Sequence, residues 1–201
     1  MDYRRYAAIP VLLLLTSIWA AGECKSQSKD GAIVANPNRP TISDPADITQ
    51  FGVLESEYGY ERTWAGGGER DHDFGGLLKF AVLCDVELRW TPDTYVQRVA
   101  GSSSVQGGGD NWLGAQFRLY HQSPRVPTLS FRYEAKVPTA SVTKDLGSGA
   151  VDHSLTFLAS KDIGKYHFDF NSGYLLAGRT GSSGYDKNVN LALAFSRTIV
   201  G

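Results

Sequence analysis

Beyond the first fifty residues, apolar and polar side chains alternate along the chain in stretches of six to twelve residues. In residues 128–137, for example, Phe131 and Tyr133 alternate with Arg132 and Glu134. Successive side chains of a β-strand point to opposite faces, so a period of two predicts strands with one apolar face. The pattern predicts eight strands and no helix. These strands span 51–62, 74–81, 85–90, 110–121, 128–137, 152–161, 166–176 and 187–196.

The connections between these strands help to decide which face points inward. A soluble sandwich or a lipocalin-like barrel buries its apolar face, whereas a membrane barrel turns that face to lipid. Alternating long and short connections are typical of outer-membrane barrels, and a Greek-key sandwich has no reason to alternate in this way. The long connections are 63–73, 99–109, 138–151 and 178–185, and the short ones are 82–85, 122–127 and 162–165.

The polar face carries charges of both signs, which the wet interior of a barrel tolerates. In a soluble fold the same side chains would face water, so this face alone does not decide between the two. The charges could set the polarity of a lumen or form a weak solute site, and a cross-strand network that only neutralises charge is the alternative. The candidate lumen-facing residues are Glu55, Glu57, Glu61, Lys79, Glu87, Arg89, Gln116, Arg118, Arg132, Glu134, Lys136 and Asp169.

Tyrosines and tryptophans lie mostly toward the ends of the predicted strands. This placement matches the aromatic girdles of membrane barrels at the lipid–water interfaces. Aromatic residues in the core of a sandwich are the alternative interpretation. The residues concerned are Tyr58, Tyr60, Trp64, Trp90, Tyr95, Trp112, Tyr133, Tyr166 and Tyr174.

The first 22 residues have the three parts of a secretory signal peptide. Arg4 and Arg5 give a basic start, residues 7–21 are apolar, and residues 20–22 are small enough for a cleavage site. The apolar stretch of 15 residues is too short for a spanning helix, which needs about 20. We therefore expect export, and we expect no lipid at Cys24 because Glu23 precedes it.

Residues 23–50 are rich in Ser, Asp, Asn and Pro and show no periodic pattern. This composition predicts an extended or mobile periplasmic segment. The predicted organisation is therefore a signal peptide at 1–22, this segment at 23–50 and a β-barrel domain at 51–201. An oxidising compartment would allow Cys24 and Cys84 to pair, but the sequence does not establish the distance between them.

Composition removes several classes of protein. The chain has 201 residues, a net charge of −1, two cysteines and a mean hydropathy of −0.24. A near-neutral charge argues against nucleic-acid binding, and two cysteines supply neither a disulfide scaffold nor a Cys₄ zinc site. The hydropathy excludes several membrane helices but not strands, because a barrel shows lipid only alternate residues.

Residue types that suggest catalysis or metal binding occur, but their spacing argues against either. The side chains of Asp71-His72-Asp73 point apart in a strand or turn, so they do not converge on one metal. Asp152-His153-Ser154 are neighbours in sequence and cannot form a catalytic triad. The glycine runs at 66–68 and 107–109 precede no helix and no Lys-Ser/Thr pair, so they are not phosphate loops. We predict no enzyme activity, no cofactor and no metal.

Several stretches carry a resemblance to a known family. They are Asp44–Gly52, Gly75–Phe80 together with Cys84–Arg89, Gly109–Gly114 and Phe168–Asn171. They resemble the outer-membrane transporters related to the meta-pathway of phenol degradation. The resemblance covers most of the chain after about residue 40, and its motifs are barrel motifs. It implies an outer-membrane β-barrel with passive transport and names no substrate.

Eight strands are fewer than barrels of this family have. An eight-stranded barrel is filled by its own side chains, so it would not conduct a solute. We therefore expect a C-terminally truncated chain, with a small closed barrel of stabilising or adhesive role as the alternative. An unclosed sheet would leave backbone groups unpaired in lipid.

The sequence thus predicts an all-β, antiparallel, up-and-down transmembrane barrel in the outer membrane of a Gram-negative cell. We expect a passive channel for small molecules, aromatic or hydrophobic ones among them, with lipid and solute as its partners. The alternatives are a non-conducting structural or binding barrel and a soluble periplasmic β-sandwich. In a barrel, Phe131→Arg should be costly, whereas Arg132→Leu should be tolerated on a lumen or water face.

Overall fold

The computed structural model describes Cys24 and residues 32–38 and 42–199. The predicted signal peptide, residues 1–22, lies outside the described residues. The fold is nearly all β-structure, 64% strand against 2% helix, which confirms the predicted antiparallel all-β class. The strands are β1 (Leu54–Gly66), β2 (Glu69–Leu83), β3 (Val86–Ala100), β4 (Ser103–Gly107), β5 (Asn111–Tyr120), β6 (Thr128–Val137), β7 (Asp152–Ile163), β8 (Tyr166–Gly178) and β9 (Tyr185–Arg197).

The strands form one antiparallel sheet in which sequence neighbours are spatial neighbours. Its order is β1-β2-β3-β5-β6-β7-β8-β9, and β4 pairs only with the last part of β3. The sheet curls into a half-barrel. Within the described residues, β1 and β9 are the two edges, and each pairs on one side only.

The two ends of the sheet differ in their connections. At one end, called the short-turn end, the strands are joined by residues 84–85, 121–127 and 164–165. At the other, called the long-loop end, the connections include 138–151 and 179–184. A 3-10 helix, Val142–Lys144, lies in the first of these loops. The predicted alternation is therefore present only in part: residues 138–151 form a long loop, but the connection of residues 121–127 is longer than that of residues 179–184.

Two of the predicted long loops are wrong, because the structure makes them strands. Residues 63–73 form a hairpin that extends β1 and β2 and turns at Gly67 and Gly68, whose φ angles are +60° and +88°. Glycine adopts these positive angles at little cost, so the turn needs only two residues. Residues 99–109 continue β3 and then form β4, whose Ser-rich sequence carries no alternating pattern.

The register places large apolar side chains on the convex face of the sheet, where they are exposed. Phe131, for instance, aligns with Phe117 on one side and Phe157 on the other. Charged side chains occupy the concave face and are buried there. Exposed apolar residues on the convex face include Leu54, Tyr60, Phe74, Phe80, Leu88, Trp90, Leu113, Phe117, Phe131, Tyr133, Phe157, Phe168, Phe170, Tyr174, Val189, Leu191, Leu193 and Phe195.

Residues 32–38 and 42–50, called the interior segment, lie against the concave face without regular secondary structure beyond bends. Ala46 and Ile48 in this segment are fully buried. The segment joins the sheet through an isolated bridge between Phe51 and Ala81. The residues that the sequence assigned to an extended N-terminal segment therefore supply much of what fills the half-barrel.

A disulfide joins Cys24 to Cys84, with their Cα atoms 5.1 Å apart. Cys84 lies in the turn between β2 and β3, at the short-turn end. The pairing that the sequence allowed is therefore present. It attaches the chain upstream of the interior segment to the sheet.

Candidate functional site

The concave face carries a row of charged side chains that the strand register aligns. Glu55, Lys79 and Arg89 are paired neighbours on β1, β2 and β3. Arg89 aligns with Gly114 on β5, and Gly114 aligns with Glu134 on β6. Alternation directs all five residues to the same face. The row therefore crosses five adjacent strands with charges of both signs.

Gly114 leaves room for the charges on either side of it to meet. A Cβ atom at this position would lie 2.6 Å from Cγ of Glu134 and 2.2 Å from the carbonyl oxygen of Tyr133. The Glu134 side chain occupies that space, and its Oε1 lies 3.5 Å from Nε of Arg89, two strands away. Its Oε2 lies 3.1 Å from Nε of Arg132. One carboxylate thus lies between two guanidinium groups.

Lys79 is 1% exposed and makes four polar contacts. Its Nζ lies 2.9 Å from Glu55 Oε2 and 3.0 Å from Glu57 Oε1. It also donates to Asn38 Oδ1 at 2.8 Å and to the carbonyl oxygen of Asn36. A buried ammonium is costly unless it is paired and hydrogen-bonded, and here it is both. Two of the four partners belong to the interior segment.

Arg132 holds the middle of the interior segment. Its guanidinium donates to Asp44 Oδ2 and also faces Glu134. Burial alone would raise the pKa of the Asp44 carboxyl, but the guanidinium groups of Arg132 and Arg89 hold that pKa below its usual 3.8. Asn171 adds two hydrogen bonds to the Asp44 main chain, at 2.7 and 2.8 Å. Asp44 therefore stays ionised and is fixed from two strands.

Arg118 connects the interior segment to the short-turn end. It donates to Asp85 Oδ1 at 2.9 Å and to the carbonyl oxygen of Cys84 at 2.7 Å. Its Nη1 lies 3.5 Å from the Asp47 carboxylate. The guanidinium therefore lies beside the turn that also carries the disulfide.

The remaining charged candidates lie further along the same face. Lys136 pairs with Asp152 at 2.7 Å and donates to Ser148 at 2.9 Å. Asp169 accepts from Ser160 at 2.5 Å. All twelve residues named from the sequence lie on the concave face. Ten of them are buried or half-buried, and they form ion pairs or hydrogen bonds with the interior segment or with the strands and turns of the half-barrel, called the wall. These ten are Glu55, Glu57, Lys79, Glu87, Arg89, Arg118, Arg132, Glu134, Lys136 and Asp169.

The other two candidates have different roles. Gln116, which is 1% exposed, is uncharged and donates to main-chain oxygens of the interior segment, with Ala46 O at 3.3 Å. Glu61 is exposed. It lines an open cavity of about 640 Å³ together with Asp44, Arg89, Arg132 and other residues. This cavity is the space that the interior segment leaves beside β1, β3 and β6.

Sequence reasoning missed the small side chains that complete this site. Ser130 donates to the carbonyl oxygen of Ala46, and Ser160 accepts from the Ala46 amide at 2.7 Å. The strand pattern placed both serines on the polar face but gave no reason to single them out. Gly114 has no side chain, so only the register of its neighbours reveals its role.

Residues considered for catalysis or metal binding are arranged otherwise. His72 faces the convex side, where Nδ1 lies 2.5 Å from Tyr60 Oη, whereas Asp71 and Asp73 alternate to the other side. In the part of the chain that the structure describes, no three His, Cys, Asp or Glu side chains are grouped to hold a metal ion.

Comparisons of the chain with protein-family models, curated proteins and solved structures found no match. Among the described residues, no helix has the length and apolar character that a membrane span requires.

Proposed function

We propose that this chain is an outer-membrane β-barrel protein that gives small molecules a passive route along its polar interior. The observation that carries the proposal is the reversed polarity of the sheet. Large apolar side chains are exposed on the convex face, and charged side chains are buried on the concave face. Soluble monomers rarely expose a continuous apolar surface of this extent. Lipid is the solvent that suits such a face.

Aromatic contacts on the convex face support this placement. The ring of His153 lies 6.1 Å from that of Tyr133 and 5.8 Å from that of Tyr185. The Tyr133 hydroxyl meets His153 Nδ1 at 2.8 Å. Rings with one apolar body and one polar tip suit the lipid–water interface, and these lie toward the long-loop end of β6, β7 and β9.

The concave face supports a passive route rather than a chemical reaction. It presents charges of both signs, most of them close to an opposite charge, beside the open cavity near Arg89 and Arg132. Such a surface solvates polar solutes without holding one sign of charge tightly. Because the sequence resembles outer-membrane transporters related to phenol degradation, small aromatic molecules are among the solutes to be tested.

A non-conducting barrel is the second candidate, because one specific observation favours it. The interior segment already fills much of the described half-barrel, with Ala46 and Ile48 fully buried. A soluble β-sandwich receives less support, since it needs a second sheet over the apolar face. The described strands form a single sheet whose apolar face is uncovered.

Expression of the whole chain in a Gram-negative host tests the proposal. We expect the protein in the outer-membrane fraction, and we expect faster gel migration before heating than after heating, as folded barrels show. Recovery in the soluble periplasmic fraction without a heat-dependent shift would contradict the membrane barrel.

Liposome swelling then separates the two candidates. Reconstituted protein should accelerate swelling in small sugars and in small aromatic alcohols relative to protein-free liposomes. A correctly inserted, heat-modifiable protein that produces no swelling with either solute class would favour the non-conducting barrel.

A further inference from the structure

The wall holds the interior segment largely by its main chain. Amide groups of the segment donate to wall side chains, and wall side chains donate to its carbonyl oxygens. The amide contacts are Asn36 to Glu55 at 3.1 Å, Asn38 to Glu57 at 3.1 Å, Asp44 to Asn171 at 2.7 Å, Ala46 to Ser160 at 2.7 Å and Thr49 to Glu87 at 2.7 Å. The wall donors to its carbonyl groups are Lys79, Gln116, Ser130 and Asn171.

These contacts can be exchanged for water. Each joins polar groups that water also solvates, so its net contribution is far below its strength in an apolar medium. The bonds to Glu55, Glu57, Glu87 and Lys79 are the stronger ones, because those groups are charged. In the part of the segment that the structure describes, only two apolar residues are fully buried, Ala46 and Ile48. A segment held by a large apolar core would resist departure much more strongly. Release of the interior segment would therefore expose mainly polar groups to water rather than a large apolar core.

The chain is attached to the sheet on both sides of the interior segment, at Cys24 and at Gly52, and the two attachments lie close together on β2 and its turn. Upstream, Cys24 is bonded to Cys84. Downstream, the amide of Gly52 donates to the carbonyl oxygen of Ala81 at 3.0 Å, immediately before β1 begins. Ala81 and Cys84 are close neighbours at the short-turn end of β2. Within the described residues, no covalent bond joins the segment to the rest of the wall. The segment is thus a loop that is hinged at the short-turn end of the half-barrel.

We propose that the interior segment is a tethered plug: it leaves the concave face as a unit, hinged at Ala81 and Cys84, and its departure opens the polar route. This inference rests on the proposed passive function, because it names the element that controls passage. The Asp44–Arg132 ion pair is the main charged contact far from the hinge, so it holds the plug in place. Moving the plug requires no change in the strands.

Hydrogen exchange on the full chain in detergent tests the release directly. The variant is Asp44→Asn, which removes the charge that faces Arg132 while keeping the size of the side chain. The matched control is Asp186→Asn, which removes an exposed ion pair with Arg179 at the long-loop end. Amides of residues 42–50 should exchange at least about tenfold faster in Asp44→Asn, because hydrogen bonds to charged groups are the stronger ones. Amides of β6 should be unchanged.

Equal exchange of residues 42–50 in the two variants would overturn the plug. Equal acceleration of residues 42–50 and β6 would overturn it as well, since the segment would then leave only when the sheet unfolds. This measurement needs no introduced cysteine and does not depend on conduction.

A covalent lock tests the consequence for passage. The Ala46 amide and Ser160 Oγ are 2.7 Å apart, so the two residues are in direct contact, and Ala46→Cys with Ser160→Cys is the lock to test. Mass spectrometry first verifies that the second disulfide has formed. The oxidised double variant should show swelling rates at the level of protein-free liposomes, and reduction should restore them. The single variant Ala46→Cys, oxidised and reduced in the same way, controls for reduction of Cys24–Cys84. Unchanged swelling in the locked protein would overturn the plug.

The two readouts separate this inference from the proposed function. Faster exchange of the segment in Asp44→Asn without swelling in any variant supports release of the segment, and it contradicts both the channel and the opening of a route. Swelling that is indifferent to both the lock and Asp44→Asn supports the channel and overturns the plug.

Discussion

Neighbouring residues on one strand of this protein meet opposite surroundings. Phe131 on β6 faces outward and is 37% exposed, whereas Arg132 beside it faces the interior and is 8% exposed. In a soluble sheet the aromatic residue would be the buried one. The two faces of the same strands thus reverse the usual relation between polarity and burial.

The difference shows what each face requires of its residues. A buried charge must find an opposite charge and hydrogen bonds, so the concave face depends on specific partners. The convex face requires only apolar character, because its surroundings make no directional demands. We therefore expect the inner face to respond to the loss of one partner and the outer face to respond to the arrival of a charge.

The largest effect should come from the inner face, at Lys79. Lys79→Met leaves Glu55 and Glu57 beside each other without the ammonium that lies between them. Removing one partner of a buried ion pair costs about 3–5 kcal/mol. Chemical unfolding in detergent, followed by tryptophan fluorescence, should report a lower free energy of unfolding.

The exposed ion pair of Arg179 and Asp186 is the control for this prediction. Arg179→Met should leave the free energy of unfolding unchanged, because both partners are in contact with solvent. If Lys79→Met and Arg179→Met lowered the free energy of unfolding by similar amounts, buried and exposed ion pairs would not differ in their importance for stability.

The next effect should come from the outer face of β9. Leu191 faces outward and is 69% exposed, whereas Asn188 faces the other side of the same strand and is also exposed. Leu191→Arg should cost about 2–4 kcal/mol in lipid vesicles, the cost of arginine near the middle of a bilayer. Asn188→Arg should cost much less. In water both positions would tolerate arginine within about 0.5 kcal/mol.

Equal stability of these two variants in vesicles would contradict a lipid-facing convex surface. The expectation from the sequence that Arg132→Leu is tolerated is wrong on physical grounds. The guanidinium is buried between Asp44 and Glu134, so this substitution should be destabilising.

Strand positions and faces could be predicted because alternation records them directly. Every second residue is apolar in β6, in residues 155–159 of β7 and in residues 166–170 of β8, so burial of the polar set there follows from the register. The strand ends were harder, since β3 continues through Thr91–Pro92–Asp93, where alternation stops and the register with β2 shifts. β4 has only Val105 as a large apolar residue, so its pairing with β3 had no pattern to reveal it.

The role of residues 32–50 could not be predicted from their sequence. The wall contacts this segment mainly at amide and carbonyl groups, which nearly every residue carries, so no particular side-chain pattern is required. Pro45 and Ala46 illustrate this, since Gln116 meets the carbonyl oxygen of each. The Cys24–Cys84 bond also needed the structure, because spacing alone does not give a distance.

Gly114 provides a smaller and sharper test of the inner face. Gly114→Ala places a Cβ atom 2.2 Å from the Tyr133 carbonyl oxygen and 2.6 Å from Glu134 Cγ, so both the main chain of β6 and the bridge between Arg89 and Arg132 must shift. Overpacking of this kind costs about 1–3 kcal/mol, measured as the free energy of unfolding. Gly108→Ala is the matched control, since its Cβ would lie 4.0 Å from its nearest neighbour, the Thr94 oxygen. Tolerance of both changes would mean that Glu134 does not need this space.

The smallest effect should be a pH dependence that separates the interior segment from the sheet. The pKa of Asp44 is held below 3.8 in the folded protein, so the ionised form is the one that folding favours. The contribution of Asp44 to the stability of the folded protein is therefore fully present above pH 3.8. It is lost as the pH falls through the lower pKa that Asp44 has in the folded state. Hydrogen exchange of residues 42–50 relative to β6 should rise in that acidic range. In Asp44→Asn this rise should be smaller, and an equal rise in both proteins would place the titrating group elsewhere.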